Sequence, residues 1–306
     1  MNSVSSYLPP DSNARVLTLS GKRCRLELAD GRTVDAITRG KLYEGEGGAE
    51  VVVGDHVHAE EHHGNWMVEA VLPRRNEFVR EGLRMERQVL FANADRVLIF
   101  AALGQPETKT AAIDRFLVAA LHGNVPPLLV LTKTDLDADG LRQREVRQTY
   151  ESFDLPVYAL SSVTGEGVQE VAEQLPQGIT ALVGNSGVGK SSLLNRLIPG
   201  LDLRVREVST WSGKGTHTTT AALLVPYGEQ AAVIDTAGMK SFVPHGITRE
   251  NLVELFPDIT RFAPECRFRN CRHQSEPDCA VRAAAESGDL AGARLKSYYR
   301  LLEEMG

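Results

Sequence analysis

The stretch Gly184-Asn185-Ser186-Gly187-Val188-Gly189-Lys190-Ser191 has the spacing G-x-x-x-x-G-K-S. Glycines at those positions let the backbone wrap so that successive N–H groups face the α- and β-phosphates of a nucleotide. Lys190 then supplies a point charge near the β- and γ-phosphates, and the Ser191 hydroxyl is a hard oxygen ligand for Mg²⁺. Apolar Ile179 to Val183 precedes the loop and predicts a strand. The run from Ser192 to Ile198 follows it, with Leu193, Leu194, Leu197 and Ile198 at helical spacing. A strand–loop–helix of this kind aims the positive end of the helix dipole at the same anion. Residues 184–192 are therefore read as a nucleoside triphosphate site.

Two further segments bear on which triphosphate. Asp235-Thr236-Ala237-Gly238 closes the predicted strand Ala231 to Ile234. A D-x-x-G there puts the Asp235 carboxylate near Mg²⁺ and the Gly238 N–H near the γ-phosphate. Thr132-Lys133-Thr134-Asp135 follows the predicted strand Leu128 to Leu131 and matches N/T-K-x-D. In that pattern the carboxylate accepts two hydrogen bonds from guanine and the lysine stem lies over the base; adenine offers no matching pair of donors. Thr132 stands where Asn is commoner, so the amide that would tie the base pocket to the phosphate loop is expected to be missing. Ser161-Ser162, after the predicted strand Pro156 to Leu160, resembles the short loop that contacts the guanine oxygen. The order is unusual, because the base segments precede the phosphate loop and D-x-x-G comes last. Each motif nevertheless follows an apolar strand, where ligands gather at the carboxyl edge of a parallel sheet. A circular permutation moves the chain ends without moving the strands and preserves that geometry.

Of the four cysteines, three lie close together late in the chain: Cys266-x4-Cys271-x-His273-x5-Cys279. A disulfide framework is typical of a small secreted chain, whereas a tight cluster late in a long one points to a metal. Three thiolates and an imidazole with no spare position fit a closed, structural tetrahedral Zn²⁺ site. The intervening Arg267, Arg269, Asn270 and Arg272 are too polar for a core strand. His56, His58, His62 and His63, beside Glu60, Glu61 and Gly64, are read as a solvated loop, and lone Cys24 as a small buried hydrophobe.

The elements that must position these groups fall into blocks. Residues 1–75 read as short strands (Val16 to Leu19, Cys24 to Leu28, Val51 to Val53) punctuated by Asp30-Gly31, Gly47-Gly48 and Gly54-Asp55, which suits a small β-barrel. Residues 76–90 read as an Arg-rich linker. Residues 91–245 alternate strand and helix, with a hairpin around Tyr227-Gly228-Glu229 at the edge of a largely parallel sheet. Residues 246–306 turn helical around the cysteine cluster, ending in a helix from Leu290 to Met305. With 306 residues there is room for several domains. A net charge of −6 excludes nucleic-acid binding by bulk electrostatics, leaving local patches such as the five Arg against three Glu of residues 72–88. The longest apolar run, Val97 to Leu103, is far short of a membrane span, and no signal peptide is visible, so a soluble cytoplasmic protein is expected.

The permuted motif order, the segment Gly215-Thr216-His217-Thr218-Thr219-Thr220 between the phosphate loop and D-x-x-G, and the cysteine cluster together resemble the RsgA (YjeQ/EngC) family of small-ribosomal-subunit-dependent GTPases. The resemblance spans nearly the whole chain. Asp235-Thr236-Ala237-Gly238 departs from the family's usual D-S-P-G but keeps its Asp and Gly. The likeness implies an OB-type barrel, a permuted GTPase and a zinc domain. It also implies GTP and GDP as ligands, small-subunit rRNA as partner, and hydrolysis that times release during late maturation. It suggests that His217 orients the attacking water and that Thr218 or Thr219 supplies a second hydroxyl to Mg²⁺. Met239, after D-x-x-G, cannot position water, so hydrolysis is expected to be slow unless a partner helps. A monomer is expected. The rivals are a P-loop ATPase or kinase acting on a small molecule, which leaves Thr132 to Asp135 unexplained, and a non-enzymatic barrel-and-zinc module with a structural nucleotide.

Overall fold

The computed structural model describes residues 8–38, 50–82, 84–175, 177–198, 222–228, 230–239 and 241–305. Five strands open the chain: β1 (Ala14–Ser20), β2 (Arg23–Leu28), β3 (Thr33–Thr38), β4 (His56–His62) and β5 (Asn65–Val71). They pair β1–β2–β3–β5–β4 and back to β1, parallel only between β3 and β5. That circuit closes the barrel and removes its free edges. Val16, Leu26, Ala36, Val57, Ala59 and Val68 fill it, together with Cys24, whose thiol burial pushes up to about 12.

Because Val57 and Ala59 point inward, the alternation of a strand turns His56, His58, Glu60 and His62 outward. These histidines therefore lie on a strand rather than in the expected loop. His56 meets buried Arg15, and burial, with that neighbouring charge, lowers its pKa to about 4. Val51 to Val53 is no strand either. Val51 and Val53 are buried in a turn, where the Asp55 carboxylate accepts the Val52 N–H at 2.8 Å and the Arg74 fork at 2.7 and 2.9 Å.

The expected linker is an ordered hairpin, β6 (Glu77–Glu81) with β7 (Arg87–Ala92). Phe78 stacks on Phe91 with ring centroids 5.1 Å apart, and both belong to the core shared with Phe116 and Phe242. Its buried residues, Phe78, Val79, Phe91 and Ala92, sit in adjacent pairs among charged ones, with a bulge between Phe78 and Val79, and the charged residues made it read as a linker.

Beyond it lie β8 (Arg96–Ala102), α1 (Thr110–His122), β9 (Pro127–Thr132), α2 (Leu141–Glu151), β10 (Val157–Leu160), α3 (Val168–Ala172), β11 (Gly178–Gly184), α4 (Lys190–Leu197), β12 (Leu223–Tyr227) and β13 (Ala231–Asp235). The sheet order is β10-β9-β8-β11-β13-β12, parallel except for β12. Strands covered on both faces read as continuous apolar runs. In β8, Val97, Ile99 and Ala101 meet the core of α1 and α2, while Leu98, Phe100 and Ala102 meet that of α3 and α4. The β12–β13 hairpin is not a free edge, because β12 pairs onward to β1 through Leu223 and Thr18.

The C-terminal part packs α5 (Pro257–Thr260), α6 (Ala280–Ser287) and α7 (Gly292–Glu304) around Leu252, Phe256, Ile259, Tyr298 and Leu301. One of its ties to the α/β domain is Arg294, which is fully buried. The guanidinium donates to Asp258 at 2.8 and 2.9 Å and to Asp114 of α1, and Tyr150 donates to Asp114 at 2.8 Å. Burial opposes the Arg294 charge, but the two carboxylates hold its pKa above the usual value. Among the described residues, no helix is long and apolar enough to cross a membrane.

Candidate functional site: a nucleotide cleft and a Cys/His cluster

The motif segments converge where β9, β10, β11 and β13 end. Buried β11 delivers the loop 185–189, and Lys190 opens α4, whose first amides have no partner within the helix. The Lys190 ammonium lies 3.0 Å from the Gly184 carbonyl and 3.4 Å from that of Asn185. Burial lowers its pKa to about 8, with Asp235 pulling the other way. A desolvated cation at a helix N-terminus is stabilised by an anion such as phosphate.

Asp235 ends β13 opposite Leu182 of β11, which brings the D-x-x-G segment beside the loop. Thr236 donates to the Leu182 carbonyl at 2.6 Å and fixes the turn. A Cβ on Gly238 would stand 2.6 Å from the Ser186 Cα, so only glycine passes at this crossing. The Met239 N–H reaches the Gly184 carbonyl at 3.3 Å, and the Met239 side chain is buried in the core with Phe242. Ser191 and Asp235 offer hydroxyl and carboxylate oxygens, a donor set suited to Mg²⁺. His217, Thr218 and Thr219 lie outside the described residues.

The base segment joins the same cluster. The Thr132 hydroxyl is buried and donates to the Val188 carbonyl at 2.5 Å. This corrects the expectation drawn from the missing asparagine: the shorter side chain makes the link to the phosphate loop itself. Lys133 takes a left-handed conformation (φ 60°) and its ammonium donates to the Gln105 carbonyl. Asp135 accepts a hydrogen bond from Ser161 at 2.5 Å, and the Ser161 oxygen accepts the Val163 and Thr164 N–H groups, each at 3.1 Å. Ser161 is fully buried, so its side chain orients Asp135, while Ser162 is partly exposed on the loop. The contacts of Thr236, an x position of D-x-x-G, and of Arg196, outside every motif, had no signal in the sequence. Those contacts depend on side-chain reach, which spacing does not reveal.

Apart from this cleft, Cys266, Cys271, His273 and Cys279 place one ligand atom each within 4.8 Å of one another. Cys266 Sγ is 3.9 Å from Cys279 Sγ, and each lies 3.5 Å from His273 Nδ1. Zn–S bonds of about 2.3 Å give a tetrahedral S–S edge of about 3.8 Å, so the set fits one tetrahedral ion. Burial, and then the neighbouring thiols, push Cys271 up to about 12, which a bound cation would reverse. Tyr299 donates to the His273 carbonyl, and Glu276 accepts the N–H groups of Arg272, Gln274 and Ser275 at 2.9, 2.9 and 3.1 Å. These bonds shape the ligand loop.

A parallel sheet carrying all four motif segments at its carboxyl edge, with the base segment earlier in the chain than the phosphate loop, defines a circularly permuted P-loop GTPase. The comparisons give the family. A family model described as RsgA GTPase matches residues 71–244. The chain is 36% identical over 302 residues to the small ribosomal subunit biogenesis GTPase RsgA of Chlorobaculum tepidum, covering 95% of this chain and 97% of that one. It is 35% identical to the protein of the same name from Pseudomonas aeruginosa, over 97% of this chain and 87% of that one. Among solved structures it is similar to YjeQ from Thermotoga maritima, with a TM-score of 0.76, 31% identity, and 96% and 98% of the two chains covered. It is also similar to YloQ, a circularly permuted GTPase, with a TM-score of 0.68, 26% identity, and 95% and 94% covered. The chain belongs to the RsgA GTPase family.

Proposed function

We propose that this chain, a GTPase of ribosome biogenesis, binds the small ribosomal subunit and its rRNA and hydrolyses GTP to time its own release during late maturation. The observation that carries the reading is the bond from Thr132 to Val188, which holds the base segment against the phosphate loop although 56 positions separate them. In this reading Asp135 pairs with the guanine edge, the Lys133 stem lies over the base, and loop 161–162 faces the guanine oxygen. Residues 184–192 cup the phosphates, Lys190 neutralises the β- and γ-oxygens, and the Gly238 N–H contacts the γ-phosphate. Ser191, Asp235 and Thr218 or Thr219 hold Mg²⁺, which when bound offsets charge on the transferring group.

His217 orients a water whose oxygen attacks the γ-phosphorus as the bond to the β–γ bridging oxygen breaks, leaving GDP and phosphate. Met239 can do no such work, so turnover is slow until the subunit engages. The chain acts as a cytoplasmic monomer. It has a barrel over residues 1–75, a segment 76–90 that pairs as a hairpin against the GTPase core, a GTPase domain 91–245 and a helical domain 246–306, in which Cys266, Cys271, His273 and Cys279 hold one structural Zn²⁺. The barrel and the zinc domain are the two grips on rRNA, and the phosphate contacts make binding weaken as salt rises.

The test is GTP turnover with and without purified small subunits. A clear rise on adding subunits supports the reading, and the same rise should be lost in His217→Ala with GTP affinity kept. A rate indifferent to any ribosomal particle would leave the nucleotide a structural role.

A further inference from the structure

We propose that Arg196 is a positioning residue for base selection: it locks the loop 161–165 to the phosphate-binding helix and so holds Asp135 in the pose that reads guanine. The proposal rests on the reading of Asp135 as the base-recognition carboxylate.

Arg196 stands in the last turn of α4, six residues past Lys190. Its Nε donates to the Ser162 carbonyl at 2.6 Å and its Nη2 to the Val163 carbonyl at 3.0 Å. Two successive carbonyls taken by one planar fork fix a loop's orientation as well as its distance, which a lysine's single ammonium cannot do. The loop is built to receive that fork. The Gly165 N–H returns to the Ser161 carbonyl and the Ser161 N–H goes to the Glu166 carbonyl, both at 2.9 Å, closing a tight turn. Gly165 has φ +90°, a conformation that favours glycine, and Arg196 Nη1 lies 3.0 Å from where a Cβ would stand.

The consequence passes through Ser161. Its oxygen is set by the Val163 and Thr164 N–H groups, and its hydroxyl is the donor that orients Asp135. Arg196 holds the carbonyls of Ser162 and Val163, the two residues after that donor. Fixing them fixes the Ser161 hydroxyl, and with it the carboxylate. The helix that begins at the phosphates thereby ends on the loop that governs the base, and selectivity for guanine depends on a residue outside every motif.

The 2-amino group of guanine is one of the two donors to the carboxylate, and hypoxanthine lacks it. Affinities of the full-length protein for GDP and IDP therefore report on the pose of Asp135. For Arg196→Ala, GDP affinity is expected to fall about tenfold and IDP affinity less than about threefold, with Arg196→Lys between wild type and alanine. Because Arg196 is exposed, its removal leaves the core intact, and an unchanged unfolding midpoint checks this. Equal losses for both nucleotides would reduce Arg196 to a helix or loop stabiliser and overturn the proposal. So would no loss at all, including the case in which only subunit binding weakens. Asp135→Asn is measured alongside, because a carboxamide donor facing the 2-position should favour XDP over GDP. If it does so while Arg196→Ala leaves the GDP-to-IDP ratio unchanged, the role of Arg196 fails alone. If Asp135→Asn leaves the purine preference untouched, the base-site reading fails and takes the proposal with it.

Discussion

At Thr132 a single hydroxyl substitutes for a longer amide. Comparison with the usual N-K-x-D marks the amide tie to the phosphate loop as absent, yet the Thr132 side chain is buried and its oxygen sits at bonding distance from the Val188 carbonyl. Thr132→Val keeps the shape and removes the donor, leaving that carbonyl buried without it. An unsatisfied buried acceptor costs about 1–3 kcal/mol, so GDP affinity should fall about tenfold or more, whereas Thr132→Ser should stay near wild type. Titration of the two variants with GDP checks it, and equal affinities would show that the bond does not support the site. Lys190, Asp235 and Gly238 were legible in the sequence because their chemistry is tied to fixed spacing. Ser161 was legible as a position but not in its role, since only the fold shows the hydroxyl turned toward Asp135 rather than toward the cleft.

Among the elements, α1 has two attachments. Its apolar face packs beneath the sheet, and Asp114 on it grips Arg294 of α7 with Tyr150 of α2 as a third partner. The Arg294 guanidinium also stacks 4.4 Å from the Phe256 centroid, so the charge is enclosed by carboxylates and rings. Removing one member of a buried ionic group leaves the others uncompensated, at a cost of about 3–5 kcal/mol. Arg294→Ala should therefore lower the denaturation midpoint sharply, while Asp114→Asn combined with Arg294→Met should recover part of the loss. Protease susceptibility of residues 246–306 in Arg294→Ala would localise the damage. The β6–β7 hairpin shows why element prediction fell short there: Phe78, Val79 and Phe91 carry the packing, but the five Arg of residues 72–88 dominate the composition. Short strands declare themselves only through partners, and those partners are Phe116 and Phe242, distant in sequence.

For the whole molecule, the C-terminal domain is held in two ways. Covalently it follows the D-x-x-G segment through Met239 to His245, and by packing it is anchored to α1 through Arg294. The Cys/His cluster lies between Asp258 and Arg294 in the chain and apart from the nucleotide cleft, so nucleotide binding should not depend on it. Removing metal with a chelator, or making Cys271→Ser, is expected to unfold the ligand loop while nucleotide affinity stays within about threefold, because metal binding is folding energy for the segment that supplies the ligands. Metal analysis of the purified protein with circular dichroism before and after chelation reads the first effect, and GDP titration reads the second. Loss of nucleotide binding on chelation would mean that the two parts fold as one unit.

Residue identity at set intervals was enough to mark a candidate phosphate loop, a candidate base-reading carboxylate, a quartet that could hold a metal ion and the permuted order that relates them. Those signals are local, because glycine freedom, a lysine after it, and thiols a few residues apart carry their chemistry wherever the chain goes. The pairings that make one site of them belong to tertiary structure: Thr132 on Val188, Ser161 on Asp135, Arg196 on its two carbonyls, Gly238 against Ser186, and Arg294 between two carboxylates. Each is a contact between groups far apart along the chain, made at a distance of a few ångströms that depends on strand order and on which face of each element is buried. Spacing in sequence does not encode such distances. The packed sheet, which sets strand ends side by side, does.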